Sequence, residues 1–370
     1  MRDILPDIQT WLGQGKRIAL ATVVGAWGSA PRPVGSKMAV TEALEMSGSV
    51  SGGCVEASVV VEALAVLQTG RPKRIHYGVS DESAWEVGLA CGGQLDLYLE
   101  PLAPLLEPHD PGSPSVFETL TQALRDEKSI VRATITQGPD ELLGQTLLVD
   151  ADGDVSGSIA AFLEGPVTCD ARDALARPGS ELRRYPHQEG EIEVFFDVQL
   201  PSPVLVMVGG VHLAIELAKQ AKLLGYRVVV VDPRKAFASE ARFPQADQLV
   251  HLWPDEALQS IGLTAGTAVA VLSHDPKLDD PSLMVALPSL AFYVGALGSR
   301  RTHALRRQRL LEAGMSANLL DRLHAPIGLD LRGRATEEMA LSIMSEIVAA
   351  RSGSPLAGER RAGAPEIAGD

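Results

Sequence analysis

The sequence predicts an α/β protein in two parts: a mixed α+β region over residues 1–200, then a Rossmann-like doubly wound parallel sheet over 201–350. Three observations carry this. From Val204 onward, short β-branched runs alternate with helical stretches, the pattern of strand–helix–strand units on a parallel sheet. Ahead of Val204 the strand-like runs are separated by Gly/Pro turns instead. At the first strand–helix junction of the second part stands Gly209-Gly210-Val211-His212-Leu213-Ala214, where such a sheet opens its ligand crevice.

Taken in order, Arg17 to Val24 reads as a strand, a Gly/Pro-rich loop covers 28–35, and Lys37 to Val40 and Gly48 to Ser51 read as further extended pieces. The pattern turns helical from Val55 to Leu67, with Gly70 as its stop. Leu95 to Glu100 alternates apolar and polar residues, as a half-buried strand does. Residues 101–115 are proline-rich and read as a connector. The first unit then recurs weakly, 17–100 against 129–200. Val131–Thr136 echoes Ala19–Val24, the run ending at Ile159 echoes the run ending at Val50, and Ile192–Asp197 echoes Leu95–Glu100, at offsets of 112, 109 and 97 residues. Where the first copy has Gly52-Gly53-Cys54, the second has Ala160-Ala161-Phe162, so any chemistry belongs to the first. In the second part, 204–208, 226–231, 268–272 and 292–295 read as parallel-type strands, and Leu213 to Leu224 as a helix stopped by Gly225. The tail, 351–370, is rich in Gly, Ala, Pro and charge and is expected to be disordered.

The 370 residues are 45% hydrophobic and carry a formal charge of −14, which argues against a nucleic-acid partner, since neutralising phosphates needs a basic surface. No apolar run approaches the roughly 18 residues of a membrane span. The first residues lack the apolar stretch of a secretory signal, and three cysteines make no even disulfide framework. The expectation is a cytoplasmic protein with reduced thiols.

Two of the three cysteines adjoin double glycines: Ser51-Gly52-Gly53-Cys54, and Cys91-Gly92-Gly93, its near mirror image. Glycine lets the backbone come close to a ligand, and a sulfur beside it is placed to act on what binds. The alternative is two buried thiols beside tight turns. Cys54 precedes the helical run, whose N-terminal dipole favours thiolate, a nucleophile or a soft metal ligand. Neither cysteine has zinc-type spacing. Asp81, Glu82 and Glu86 offer acid–base groups or a solvated helix face, and Cys169, without glycine context, reads as structural. Ser29, Arg32, Ser36 and Lys37 beside glycines suit a phosphate cradle, or simply a rigid Pro-rich turn.

In the second part, Asp232 ends the second strand where a ribose-binding acid sits in dinucleotide folds, yet Val211 occupies the fingerprint position that needs glycine. His212 opens the following helix, facing a ligand anion or solvent. His274 and Asp275 follow the 268–272 strand, and Gly298-Ser299-Arg300-Arg301 the 292–295 strand, ahead of a helix whose start suits an anion. Pro326 to Asp330 is a further loop placed to close over this crevice.

These stretches resemble the XdhC/CoxI family, the molybdenum-cofactor chaperones of xanthine dehydrogenase and related molybdoenzymes. The matching residues are Ala21-Thr22-Val23-Val24 with Gly28-Ser29-Ala30-Pro31-Arg32, Gly48 to Glu56, Cys91-Gly92-Gly93, Ser273 to Asp280, Gly298 to Arg301 and Pro326 to Asp330. One departure stands out: the family's turn usually reads Gly-Ala-Gly-His-Val-Ala, and Val211 replaces its middle glycine.

The resemblance implies a molybdenum cofactor (molybdopterin or its cytosine dinucleotide) that is bound, protected during sulfuration and delivered to a molybdenum hydroxylase. It further implies a homodimer and contact with a cysteine desulfurase and a cofactor nucleotidyltransferase. Cys54 and Cys91 are the candidate molybdenum contacts, flanked by Gly52, Gly53, Gly92 and Gly93, with Arg32 and Lys37 at the phosphate end. Gly209, His212, Asp232, His274, Asp275, Ser299 and Arg300 are the candidate cofactor contacts of the second part. Two other readings compete. One is an NAD(P)-dependent oxidoreductase with His274 as acid–base residue and Asp232 on the ribose, against which Val211 speaks. The other is a sulfur-transfer enzyme carrying a persulfide on Cys54.

Overall fold

The computed structural model describes residues 1–358 except Pro31, 79–92, Pro178 and Glu189. The chain divides into two compact units, Met1–Pro201 and the remainder from Ser202.

The first unit opens with α1 (Leu5–Gly13), then β1 (Ile18–Trp27), β2 (Lys37–Thr41), β3 (Met46–Gly48), α2 (Glu56–Thr69), β4 (Lys73–Tyr77) and β5 (Gln94–Pro101). The short α3 (Ala103–Leu106) and α4 (Val116–Arg125) lead to β6 (Ile130–Gln137), β7 (Thr146–Asp150), β8 (Val155–Ser158), α5 (Ala161–Leu175), β9 (Glu181–His187) and β10 (Gly190–Gln199). Two antiparallel sheets result, ordered β3-β2-β1-β5-β4 and β8-β7-β6-β10-β9, the same plan twice with a helix after the third strand of each. The pairing Leu20 with Glu100 in the first sheet has its counterpart in Arg132 with Asp197. Both sheets skip one residue at the same place, Val24 in β1 and Thr136 in β6. The residue offsets between paired positions, 112 for β1 and β6, 109 for β2 and β7, and 97 for β5 and β10, are those read between the sequence segments.

One reading changes. β5 is buried on both faces, not half-exposed. Its apolar residues Leu95, Leu97 and Leu99 lie in the core beneath α2, as the alternation requires. Its polar face meets residues of the second sheet: Tyr98 clusters with Phe195, and Glu100 takes a two-pronged bond from Arg132 at 2.8 and 2.6 Å. Charge pairing replaces water on that face.

In the second unit, β11 (Val204–Val208), β12 (Arg227–Val231), β13 (Gln248–Val250), β14 (Thr267–Val271), β15 (Tyr293–Ala296) and β16 (Leu323–His324) form one parallel sheet. Its order, β13-β12-β11-β14-β15-β16, is that of a doubly wound dinucleotide fold. The expected architecture is therefore present, with β-branched strands buried on both faces as parallel sheets demand. The helices are α6 (His212–Leu223), α7 (Pro254–Ile261), α8 (Pro276–Ala286), α9 (Arg300–Glu312), α10 (Ala317–Leu320) and α11 (Thr336–Arg351). Strand order reverses between β11 and β14, which puts the crevice at the loops after these two strands. After α11, Pro355–Gly358 forms a 3-10 turn steadied by the Ser354 amide on the Ala349 carbonyl, inside the stretch 351–370 that was expected to be disordered. Residues 359–370 lie outside the described chain. No described helix is long and apolar enough to cross a membrane.

Candidate functional site

The Gly-Gly-Cys loop joins β3 to α2. Gly52 and Gly53 adopt φ of 77° and 120°, a region that side chains other than glycine's avoid. Cys54 is exposed at the entrance to α2, which excludes the buried-thiol alternative for this residue. The loop is shaped by Glu56. One carboxylate oxygen accepts from the Ser49 hydroxyl (2.7 Å) and from the amides of Val50 (3.3 Å) and Ser51 (2.9 Å). The other accepts from the Ser51 hydroxyl and the Gly53 amide (2.8 Å). Burial pushes this carboxyl up, but the serine and amide donors outweigh it and hold it down to about 2. The Ser51 hydroxyl oxygen in turn accepts from the amides of Cys54 and Val55, both at 3.0 Å.

One neighbouring segment meets this loop, and a second meets that segment. Arg32 donates from Nε to the Ser49 carbonyl at 3.2 Å. Gly93 lies so close to the 29–30 backbone that a Cβ on it would stand 2.7 Å from the Ala30 nitrogen. The structure thus gathers the 28–37 loop, the Cys54 loop and Gly93 at one end of the first sheet. Cys91, Gly92, Asp81, Glu82 and Glu86 lie outside the described residues.

Lys37 is placed differently. Its ammonium is 2.8 Å from Asp197, with both side chains almost fully buried, so it is turned into the protein and away from any ligand of the loop. Lys37 begins β2 as a core-facing residue, and the second sheet supplies its counterion. Cys169, read as structural, is exposed on α5.

At the carboxyl ends of the parallel strands, Gly209 has φ of 102° and abuts Ser273 in the loop after β14, where a Cβ on the glycine would stand 2.9 Å from that residue. His212 is exposed at the first position of α6. Asp232 is fully buried: it accepts from the Gly210 amide at 2.9 Å and from the Arg234 guanidinium at 2.9 and 2.8 Å. Burial raises its carboxyl, but those donors win and hold it below the ordinary value. His274 is exposed, with φ of 61°, and Asp275 caps α8 through the Lys277 amide. Ser299 caps α9 through the Thr302 amide, beside exposed Arg300. The loops after β14 and β15 are joined below the surface: the Ser273 hydroxyl donates to Asp279 at 2.5 Å, and Arg306 bridges Asp279 (2.8 Å) and the Leu297 carbonyl (2.9 Å). The 326–330 loop is tied down by the Ile327 amide on the Ala296 carbonyl and the Gly328 amide on Glu346. In this conformation it is fixed to the sheet edge and to α11.

Residues 205–347 match the XdhC Rossmann domain, and residues 11–78 match the XdhC and CoxI family. The chain belongs to the XdhC/CoxI family. Among relatives of this family member, the molybdenum cofactor insertion chaperone PaoD of Escherichia coli K12 is 29% identical over 352 residues, 95% of this chain and 88% of that protein. A protein of Bacillus subtilis 168 described as a probable xanthine dehydrogenase component is 26% identical, spanning 90% of this chain and 92% of its own. A crystal structure described as a xanthine dehydrogenase from Bacillus halodurans shares the fold, with a TM-score of 0.73 and 97% of each chain covered at 23% identity.

Sequence reasoning gave no role to Glu56, Arg234, Asp197 or Arg306. Glu56 had a visible signal, an acid two residues after the cysteine in the first turn of a helix. Asp197 and Arg306 had none, because their partners are distant in sequence.

Proposed function

We propose that this XdhC/CoxI protein is a chaperone that binds the molybdenum cofactor, shields it during sulfuration and delivers it to a molybdenum hydroxylase. The observation that carries the reading is the exposed Cys54 on a loop held rigid by its own hydrogen bonds, in a chain similar throughout its length to a cofactor-insertion chaperone. The cargo is the pterin cofactor, bare or as its cytosine dinucleotide. An exposed thiol suits a soft, sulfur-coordinated metal.

In this reading Cys54, with Cys91, touches the metal edge, and Gly52, Gly53 and Gly93 allow close approach. Arg32 fixes the loop through the Ser49 carbonyl and leaves guanidinium nitrogens for an anionic group. Lys37 takes no part, being committed to Asp197. The crevice of the second unit, bordered by Gly209, His212, His274, Asp275, Ser299 and Arg300, offers a second place for an anionic or nucleotide moiety. The partners are the client hydroxylase, a cysteine desulfurase, a cofactor nucleotidyltransferase and a second copy of the chain.

The test is binding of isolated molybdenum cofactor to the purified protein. Saturable binding is expected, with Cys54→Ser and Cys91→Ser each raising Kd about tenfold or more, the loss of one ligand bond of about 1.4 kcal/mol. A double variant that binds as tightly as wild type would remove the reading. Sulfur transfer through Cys54 is separable by mass: a persulfide adds one sulfur to Cys54 after incubation with a desulfurase and cysteine.

A further inference from the structure

A glycine-rich loop at a helix start ordinarily invites a phosphate, because its amides are left to be filled. Here they are already filled. Six consecutive amides are paired within the loop itself: Val50, Ser51 and Gly53 on Glu56, Gly52 on the Ser49 hydroxyl (2.9 Å), and Cys54 and Val55 on the Ser51 hydroxyl. Glu56 is the keystone, accepting five hydrogen bonds from three residues' amides and two hydroxyls.

The same chain supplies a contrast. In the second copy Ala160-Ala161-Phe162 replaces the glycines and cysteine, and the acid at the place of Glu56, Glu164, is exposed in the first turn of α5 instead of being folded back onto the loop. The folded-back carboxylate accompanies the cysteine and is not a requirement of the fold.

We infer that Glu56 is a built-in anion that occupies the loop's amide nest, so that the loop excludes phosphate and presents Cys54 alone as its ligand-recognising group. Glu56 is a positioning residue: it touches no ligand but sets the loop on which the thiol stands. The ligand class selected there is a soft metal or its sulfur edge, and the cargo's phosphate is held elsewhere. The inference rests on the proposed function only for the identity of the cargo.

Glu56→Ala should empty the nest without disturbing the sheets. Hydrogen exchange of the 49–55 amides, followed without cofactor, is expected to quicken about tenfold or more, as lost local hydrogen bonds require. Formate or inorganic phosphate at tens of millimolar should restore protection in Glu56→Ala and leave wild type unchanged. Glu56→Gln, which turns one acceptor oxygen into a donor, should show the same loss with weaker rescue. Far-UV circular dichroism and thermal unfolding establish that each variant folds.

Unchanged exchange in a folded Glu56→Ala would overturn the inference. So would rescue by formate no greater than its effect on wild type, or phosphate protecting the wild-type loop. In a second arm, Glu56→Ala should shed molybdenum cofactor about tenfold faster than wild type, with formate reversing the loss. Wild type that binds no cofactor would defeat the proposed function, while the exchange arm still decides the role of Glu56.

Discussion

Lys37 and Asp197 show how a single residue can be misread from sequence. A lysine beside glycines suits a phosphate, but this one is buried against a carboxylate from the second sheet. Such a pair costs desolvation of both charges, and removing one partner leaves the other uncompensated. Lys37→Met is therefore expected to destabilise the protein by about 3–5 kcal/mol at neutral pH, measured by urea unfolding. The pH dependence has a definite sign. Burial pushes the Asp197 carboxyl up, but the Lys37 ammonium outweighs it and holds the folded value below the unfolded 3.8. Its contribution is complete above the unfolded value and fades as pH falls through the folded one. The gap between wild type and Lys37→Met should therefore narrow on acidification below about pH 4. A gap constant across that range would mean that the pair is not ionised in the fold. Cys54 and Glu56 make the complementary case: the motif announced the cysteine, while the residue that shapes its loop came without an assigned role.

Among elements, β3 and β8 each lie against their neighbour, β2 or β7, through one glycine that admits no side chain. Gly48 has φ of 82°, and a Cβ there would stand 2.3 Å from the Lys37 carbonyl oxygen; Gly157, its counterpart, has φ of 88° and 2.5 Å to the Thr146 carbonyl oxygen. Gly48→Ala and Gly157→Ala should each cost about 1–3 kcal/mol in thermal unfolding, and by similar amounts because the positions are equivalent. A neutral Gly157→Ala would break that equivalence. Element legibility followed pattern strength. The helix ended by Gly70 was readable because its stop glycine lies in the left-handed region, at φ of 68°. α4 begins where the proline-rich 101–115 connector ends and was given no assignment, although Ser115 and Glu118 form a capping box that is visible in the sequence. β4 and β9 carry mixed charged and aromatic residues with little alternation in burial, and neither was foreseen.

At the scale of the molecule, the second unit has dinucleotide topology, and two residues at its crevice bear on whether a dinucleotide binds. A ribose diol needs an accepting carboxylate at the end of β12. Both oxygens of Asp232 are committed to Gly210 and Arg234, and Val211 fills the place of the close-approach glycine. Calorimetric titration with NAD(H) is accordingly expected to show no saturable binding up to millimolar concentration. Micromolar binding would restore the oxidoreductase reading. The sequence by itself determined the parallel sheet of the second unit, the three repeating offsets of the first, and the loop on which Cys54 stands. These depend on residue type and spacing along the chain: β-branched runs, periodicity and glycines at turns. Only the tertiary structure decided which charges face a ligand and which face each other. Lys37, Glu100, Arg132, Asp197, Asp279 and Arg306 find their partners across long stretches of chain. Whether a charge is desolvated is a property of the surface packed over it, and local sequence does not contain that surface.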